Sequence, residues 1–278
     1  GTSEVYVSVK DCFDGSGISC NGRYPGFADG DVAVFQGNTA VDVINITFTA
    51  ADYTLTIESN SSGLVAIKEC STNSDSANII LTGSSTLVFN GCKFGSVTVS
   101  DGAEARLVHG GTETISLEVQ DLTIEENGNM WGNDGARLDV LGDMTLSGTL
   151  GDNSSGKIKT LNVAGNTSIS ASGKINLSEA SMTFSGPVTN QGSLAGTSGT
   201  LTFNGDYSGT GSFTASSGST YFLSNMDFSG KIEDLSFDQN INQTIEIPSM
   251  DTTGLPTVSV DFPDFNQKIR DNASFSGL

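Results

Sequence analysis

The chain has 278 residues, 34 of them glycine, and its formal net charge is −20 although only 16% of its residues are charged. This balance argues against a nucleic-acid-binding protein, because phosphate contacts require a basic face, and against binding to anionic membrane surfaces. The sequence contains no run of 18 apolar residues, so we expect no membrane insertion. A solvated acidic surface is the favoured interpretation of the charge, and binding of divalent cations is the alternative.

The first 50 residues predict three short strands and one irregular loop. Apolar and polar residues alternate over residues 5–9, 31–35 and 41–46, which is the pattern of a strand with one buried face. The loop between the first two strands is rich in Cys, Gly and Pro. Further on, the segment 87–91 matches the triplet repeat described below, and Leu55-Thr56-Ile57 is another candidate rung strand.

An apolar–polar–apolar triplet repeats through the middle of the chain. Its copies begin 21, 23, 21, 19 and 20 residues apart, at residues 117–119, 138–140, 161–163, 182–184, 201–203 and 221–223. Three copies continue through one more residue into Gly142, Gly165 and Gly205, whereas the last copy breaks the alternation and ends at Asn225. A period near 20 with strand-like alternation indicates one stacked supersecondary unit.

The repeat predicts an all-β fold, a single parallel β-helix or β-solenoid with about 20 residues per rung. A second short strand follows the triplet at residues 144–146, 167–169 and 207–208, and about 20 residues hold three short strands with turns but not three helices. The alternative is an array of β-sandwiches, whose strands arrive every 8–12 residues without a copied triplet and a fixed glycine. The segment 87–91 precedes Leu117 by clearly more than one period of the repeat, so we expect an insertion or a register shift there.

The chain ends do not repeat, which predicts three regions. We expect an N-terminal cap with a disulfide loop over residues 1–50, solenoid rungs over 51–236, and a C-terminal cap or extended docking segment over 237–278. The open ends of a solenoid need atypical units. The tail contains Pro248, Pro256 and Pro263, and proline cannot donate to a central ladder.

Four cysteines predict two disulfides. Cys12 and Cys20 bracket a Gly/Ser turn, and the separation of Cys70 from Cys92 matches one period of the repeat. Neighbouring rungs lie about 4.8 Å apart, within the Cα separation that a disulfide accepts. Buried thiols or metal ligands are the alternatives, although a single histidine and the lack of a CxxC pair argue against metal. An even cysteine count in a lysine-poor chain favours an oxidising, extracytoplasmic compartment.

Residues that carry chemistry are few, and we expect a non-enzymatic protein without an organic cofactor. His109 is the only histidine, and no Gly-x-Ser-x-Gly elbow supports a Ser-His-Asp arrangement, so a surface turn is favoured. The outward triplet positions carry Asp139, Asn162, Thr183 and Thr202, and we expect no lysine or arginine beside them in register.

A Gly/Asn stretch holds the candidate metal ligands. Asn133, Asp134 and Asp139 supply oxygen atoms that suit calcium, but a single copy of the motif favours a plain turn. Trp131 lies in the same stretch, and packing across a rung is favoured over stacking on a sugar ring. Seven glycosylation sequons, about as many as chance gives, begin at Asn45, Asn60, Asn153, Asn166, Asn176, Asn242 and Asn272.

The run from Leu138 to Leu150 and its diverged copies resembles the passenger repeats of autotransporters and filamentous-haemagglutinin-like surface proteins. The segment 30–35 looks like the opening of many secreted β-helices. The resemblance covers about residues 30–235 and implies an elongated, usually non-enzymatic protein used in adhesion, as a stalk or in a surface fibre. It also implies an extracellular or cell-surface location. The sequence begins at Gly1 and shows no signal peptide, so we expect a secreted protein whose signal peptide has been removed. The cysteine pairs are unusual for that family.

The leading hypothesis is a self-assembling filament, sheath or adhesin-stalk subunit with a cell-surface or glycan ligand. Strands outside the repeat register would add to a neighbouring subunit, and their docking residues are Val5, Tyr6, Val7, Val258, Val260 and Phe262. The alternative is a carbohydrate-binding or polysaccharide-degrading β-helix. Ice binding is a third hypothesis, for which we expect no unbroken ladder among Thr54, Thr56, Thr145, Thr183 and Thr202.

Overall fold

The computed structural model describes most of the repeat region and short pieces of both ends. The central part covers residues 53–227, apart from 62, 69, 71–75, 110–114, 134, 153–155, 215, 217 and 225. The remaining described segments are 4–7, 29–37, 41–44, 235–236, 244–247 and 266–269. Within these residues the regular structure is all strand, and no helix is long and apolar enough to cross a membrane.

The strands form two parallel sheets. The larger sheet contains β1 (Glu4–Val7), β2 (Asp31–Gly37), β4 (Thr54–Ser61), β6 (Asn78–Thr82), β8 (Cys92–Val99), β10 (Leu117–Ile124), β12 (Ala136–Val140), β13 (Met144–Leu146), β15 (Ile158–Val163), β16 (Thr167–Ile169), β18 (Ser181–Phe184), β19 (Val188–Asn190), β21 (Thr200–Phe203), β22 (Tyr207–Gly209), β24 (Ser219–Phe222), β25 (Met226–Asp227), β27 (Thr244–Ile247) and β28 (Asn266–Ile269). The smaller sheet contains β3 (Val41–Ile44), β5 (Val65–Lys68), β7 (Thr86–Asn90), β9 (Glu104–Leu107), β11 (Asn129–Gly132), β14 (Thr149–Gly151), β17 (Lys174–Asn176), β20 (Ser193–Leu194), β23 (Ser212–Thr214) and β26 (Leu235–Ser236).

From β8 onwards each turn of the chain contributes to each of three columns, and the strands of the earlier turns lie in the second and third, which confirms the β-solenoid. The first column holds the repeated triplet, so that Leu117 pairs with Leu138, Leu138 with Leu161, and Met182 with Leu201. The second column, in the same sheet, runs through β13, β16, β19 and β22. The smaller sheet is the third column. One turn takes roughly 22 residues.

Alternation along each strand separates the core from the surface. In β13, Met144 and Leu146 are fully buried and Thr145 between them is exposed. The same pattern buries the apolar members of the triplets, including Leu161 and Val163. Burial of these side chains is the main favourable term in folding, and it fixes register because a slip of one residue would turn every side chain over.

Glycines stack at the corner between the first and second columns. A Cβ atom on Gly165 would lie 2.4 Å from the carbonyl carbon of Gly142, and one on Gly205 would lie 2.3 Å from that of Gly186. The corner therefore brings consecutive rungs so close that only glycine fits there. Gly142, Gly165 and Gly205 are the glycines of the repeat, and Gly186 is a fourth member of this stack.

The structure corrects two sequence assignments. The segment 87–91 is no copy of the triplet, because β7 lies in the third column between β5 and β9, while Cys92–Phe94 pairs with the triplet at Leu117. The last copy is shifted by one residue, since Leu201 pairs with Thr220 and not with Tyr221. Thr220 takes the inward position, where its Oγ1 accepts the Ser216 N–H at 2.7 Å. Leu223 is an exposed corner residue.

In-register pairing reaches both ends of the chain. At one end β1 pairs with β2 and β2 with β4, and at the other β24 pairs with β27 and β27 with β28. Solenoid pairing therefore enters the regions predicted as caps, whose boundaries stay a prediction. Cys12, Cys20, Val258, Val260 and Phe262 lie outside the described residues.

Candidate functional site

A column of hydroxyl side chains runs along the outer face of the second column. Its members are partly or fully exposed and occupy the same register position on six consecutive rungs, namely Thr98, Thr123, Thr145, Ser168, Thr189 and Ser208. We call this set the hydroxyl column. Neighbouring rungs lie about 4.8 Å apart, so the column presents one hydroxyl at each such step.

The hydroxyl column differs from the set of threonines named for the ice-binding hypothesis, with which it shares only Thr145. Thr183 and Thr202 pair with each other in the first column, while Thr145 lies in the second. Ile80 separates Thr56 from Thr98. That earlier set therefore forms no unbroken ladder, as predicted. Aligning the strands after each triplet, instead of the triplets themselves, would have revealed the column.

Charged residues on the outer face of the first column pair across rungs. Lys93 is in register with Glu118 and its Nζ lies 3.1 Å from a carboxylate oxygen, contrary to the expectation that no basic residue accompanies the acids. On the next rung Asp139 is almost buried, and it accepts hydrogen bonds from Arg137 Nε at 2.9 Å and Asn162 Nδ2 at 2.8 Å. The Lys93–Glu118 pair and the hydrogen bond from Asn162 to Asp139 each join neighbouring rungs, whereas Arg137 and Asp139 lie on the same strand.

A second ionic contact joins Lys157 and Lys159 to Glu179, which lies about one turn further along the chain. Hydrogen bonds from Lys157 and Lys159 lower the pKa of the Glu179 carboxyl to about 2. The carboxylate thus stays ionised in moderate acid and links two rungs.

Trp131 packs on the outer surface of the smaller sheet, in agreement with the packing interpretation. Its Nε1–H donates to Glu104 Oε1 at 2.5 Å, and the Arg106 guanidinium carbon lies 4.9 Å from the centre of its ring system. Glu104 also accepts the Thr86 hydroxyl at 2.9 Å. Since Thr86 pairs with Glu104, and Arg106 with Trp131, the group spans three rungs.

The candidate calcium ligands have protein partners where they are described. Asn133 Oδ1 accepts the backbone N–H of the exposed His109 at 2.8 Å, and the Asp139 carboxylate is held by Arg137. Asp134 lies outside the described residues. In the described part of the chain no group of three His, Cys, Asp or Glu side chains is arranged to hold a metal ion.

Cys70 and Cys92 lie directly above one another, as their spacing predicts. The Lys93 N–H donates to the Cys70 carbonyl at 2.6 Å. The paired residues Val119 and Val140 show the same geometry, because the residue after Val140, Leu141, donates its N–H to the Val119 carbonyl. Cys70 and Cys92 are therefore paired in the same way. Both cysteines are fully buried and their side chains contact each other. The covalent bond between them stays a prediction.

Three predicted glycosylation sites are described, and all three asparagines are exposed. Asn176 lies in β17, whereas Asn60 accepts the Ser84 N–H at 3.1 Å and Asn166 donates to Asp143 at 3.1 Å. Asn45, Asn153, Asn242 and Asn272 lie outside the described residues. Glycosylation itself stays a prediction.

Residues 127–191 match a family described as repeats of unknown function (DUF5649). This segment contains the central rungs from β11 to β19 and agrees with the repeat architecture. No curated protein and no solved structure matches the chain.

Proposed function

We propose that the protein is a non-enzymatic structural rod of an extracellular filament, sheath or adhesin stalk, whose subunits join end to end. The observation that carries this proposal is continuous parallel pairing from β1 to β28. Two ion pairs of the outer face support it, because Lys93–Glu118 and Lys157–Glu179 bind neighbouring rungs to each other. A surface of this kind reinforces a rod along its length.

Joining would occur at the outer edges of the terminal strands. Within the described residues β1 pairs with β2 and β28 with β27, so each terminal strand has a second edge at which another parallel strand fits. The β28 strand ends the first column and β1 begins the second, so the β28 edge of one copy would meet the β1 edge of the next after a rotation about the rod axis. Such a contact is head-to-tail and builds an open filament. In this arrangement Val5, Tyr6 and Val7 stay paired with β2 of their own chain and offer only the outer edge of β1 to the next subunit.

Electron microscopy and sedimentation over a range of protein concentrations test the proposal. We expect rods of constant width whose length grows with concentration. Protein that stays monomeric at every concentration would refute end-to-end assembly.

Two proline substitutions in β1 form a matched pair. Consecutive strand residues direct their N–H groups to opposite edges, so Val5→Pro and Tyr6→Pro remove donors from different edges. The variant that loses the bond to β2 should melt at lower temperature. The other variant should keep its thermal stability but form no filaments; filament formation by that stable variant would contradict the assignment of the β1 edge.

The hydroxyl column favours a second candidate function, binding of a glycan with a regular repeat. Hydroxyl groups at even spacing along a rod match a polymer that presents hydroxyl groups periodically. Thr145→Val and Thr189→Val remove two hydroxyls at nearly constant volume. Weaker retention on polysaccharide columns would support glycan binding, and unchanged retention would count against it; a loss of ice-growth inhibition in the same variants would indicate an ice surface instead.

A further inference from the structure

We propose that Cys70 and Cys92 join in a disulfide while their two rungs are still assembling, and that the folded rod afterwards keeps whichever redox state it acquired at that moment. This inference is independent of end-to-end assembly. It concerns a covalent link between rungs and the time at which that link forms.

The register places the two sulfur atoms on the same side of neighbouring rungs. Cys92 pairs with Leu117, so it holds the inward position that the leucines of the triplet hold on later rungs. Cys70 is its partner on the preceding rung through the hydrogen bond from Lys93 to the Cys70 carbonyl. Partners at this spacing, about 4.8 Å between strands, satisfy the Cα separation of a disulfide.

Burial protects the pair once the rungs have closed. Cys70 and Cys92 are 0% and 1% exposed. Their thiols also donate to backbone carbonyls, Cys70 Sγ to Lys68 at 3.3 Å and Cys92 Sγ to Ile67 at 3.2 Å. Burial raises the pKa of the Cys92 thiol well above its usual value. Exchange requires a thiolate and access to a sulfur atom, and the folded core restricts both.

The chemistry needs a disulfide of low molecular weight as oxidant, such as oxidised glutathione. One cysteine thiolate attacks it and forms a mixed disulfide, releasing one glutathione thiolate. The second cysteine thiolate then attacks the cysteine sulfur of the mixed disulfide and releases the second glutathione. Two protons leave the cysteines, and the two electrons lost by their sulfur atoms reduce one glutathione disulfide to two thiols. The first step requires room for glutathione beside the sulfur, which exists only before the rungs close.

The experiment starts from the full chain carrying Cys12→Ser and Cys20→Ser, so that the core pair supplies every remaining thiol. One sample is refolded with oxidised glutathione and a second with dithiothreitol, and the folded fraction is isolated by size exclusion. The sample folded with oxidised glutathione is then treated with dithiothreitol, and the sample folded with dithiothreitol is treated with oxidised glutathione. Each treatment is carried out once on the folded protein and once in denaturant. The thiols are alkylated in denaturant and counted by mass spectrometry.

We expect no alkylated thiols after oxidative folding and two after reductive folding. Reduction of the oxidised protein and oxidation of the reduced protein should both be at least 100-fold slower in the folded protein than in denaturant, as measured by the change in the number of alkylated thiols with time. Two alkylated thiols after oxidative folding would refute the disulfide. Equal exchange rates in the folded and denatured protein would refute its fixation at folding. Cys92→Ala on the same background is the control and should show one alkylated thiol under reducing conditions.

Discussion

Gly186 lies directly above Gly165 at a corner of the solenoid, and a Cβ atom there would lie 2.3 Å from the Gly165 carbonyl oxygen. Because backbone atoms of the neighbouring rung cannot move aside separately, Gly186→Ala should lower the free energy of unfolding by about 1 to 3 kcal/mol or more. Urea unfolding followed by circular dichroism measures the loss. Gly151→Ala is the matched control, since its Cβ would meet the Thr149 methyl group at 3.2 Å. Equal losses in the two variants would contradict the steric account.

Tyr207 makes stability depend on pH in the alkaline range. Its ring packs in the core against Phe203 and Phe213, and its hydroxyl accepts a hydrogen bond from Asn190 Nδ2 at 3.0 Å. Burial raises the pKa of Tyr207 to about 12. A raised pKa in the folded state means that stability is intact below the unfolded value of about 10 and falls as pH rises towards 12. Tyr207→Phe should flatten the dependence of melting temperature on pH between 10 and 12, and an unchanged dependence in this variant would contradict the assignment to Tyr207.

At the residue scale, the sequence shows which positions repeat but not always which position is inward. The glycine corner is visible in the spacing, and Gly186 follows its triplet just as the other three glycines of the corner follow theirs. The shift at Thr220 is not visible in a hydropathy pattern, because a threonine occupies an inward position there through its hydrogen bond to the Ser216 backbone.

Two ion pairs in the first column of strands should contribute different amounts to the free energy of unfolding, because the carboxylate of one pair is nearly buried. Arg137→Gln leaves the Asp139 side chain, 8% exposed, without its cation. We expect a loss of about 1 to 3 kcal/mol, less than for a fully buried pair because Arg137 is 40% exposed. Lys93→Gln removes a more exposed pair and should cost less than about 1 kcal/mol. Urea unfolding of both variants checks the order, and a larger loss for Lys93→Gln would contradict it.

At the element scale, alternation predicts strands well but leaves their column undetermined. Leu87 and Leu117 lie in similar sequences, yet β7 belongs to the third column and β10 to the first and second. Their columns depend on the number of residues between strands, which insertions change. The same limitation hid the hydroxyl column and the pairing of Lys93 with Glu118, since both require correct stacking of consecutive rungs. Cys70 and Cys92 could be placed from the sequence because their separation equals one turn of the solenoid.

At the scale of the molecule, stability of a solenoid is approximately a sum over rungs and their interfaces. One complete turn should therefore be removable. Leu161 pairs with Met182 and Thr160 with Ser181, so deleting residues 161–181 connects Thr160 to Met182 and restores the stacking pattern. We expect a folded, shorter rod with a modestly reduced melting temperature.

Deletion of residues 161–180 is the matched control for that experiment. It leaves Ser181 in the position of Leu161 and turns Met182 and Phe184 from the core towards solvent, since a shift of one residue reverses the faces of a strand. This variant should lose cooperative melting and become sensitive to limited proteolysis. If both deletions fold equally well, register is not set by the buried triplets. If neither folds, the rungs do not contribute independently, and the rod is a single cooperative unit.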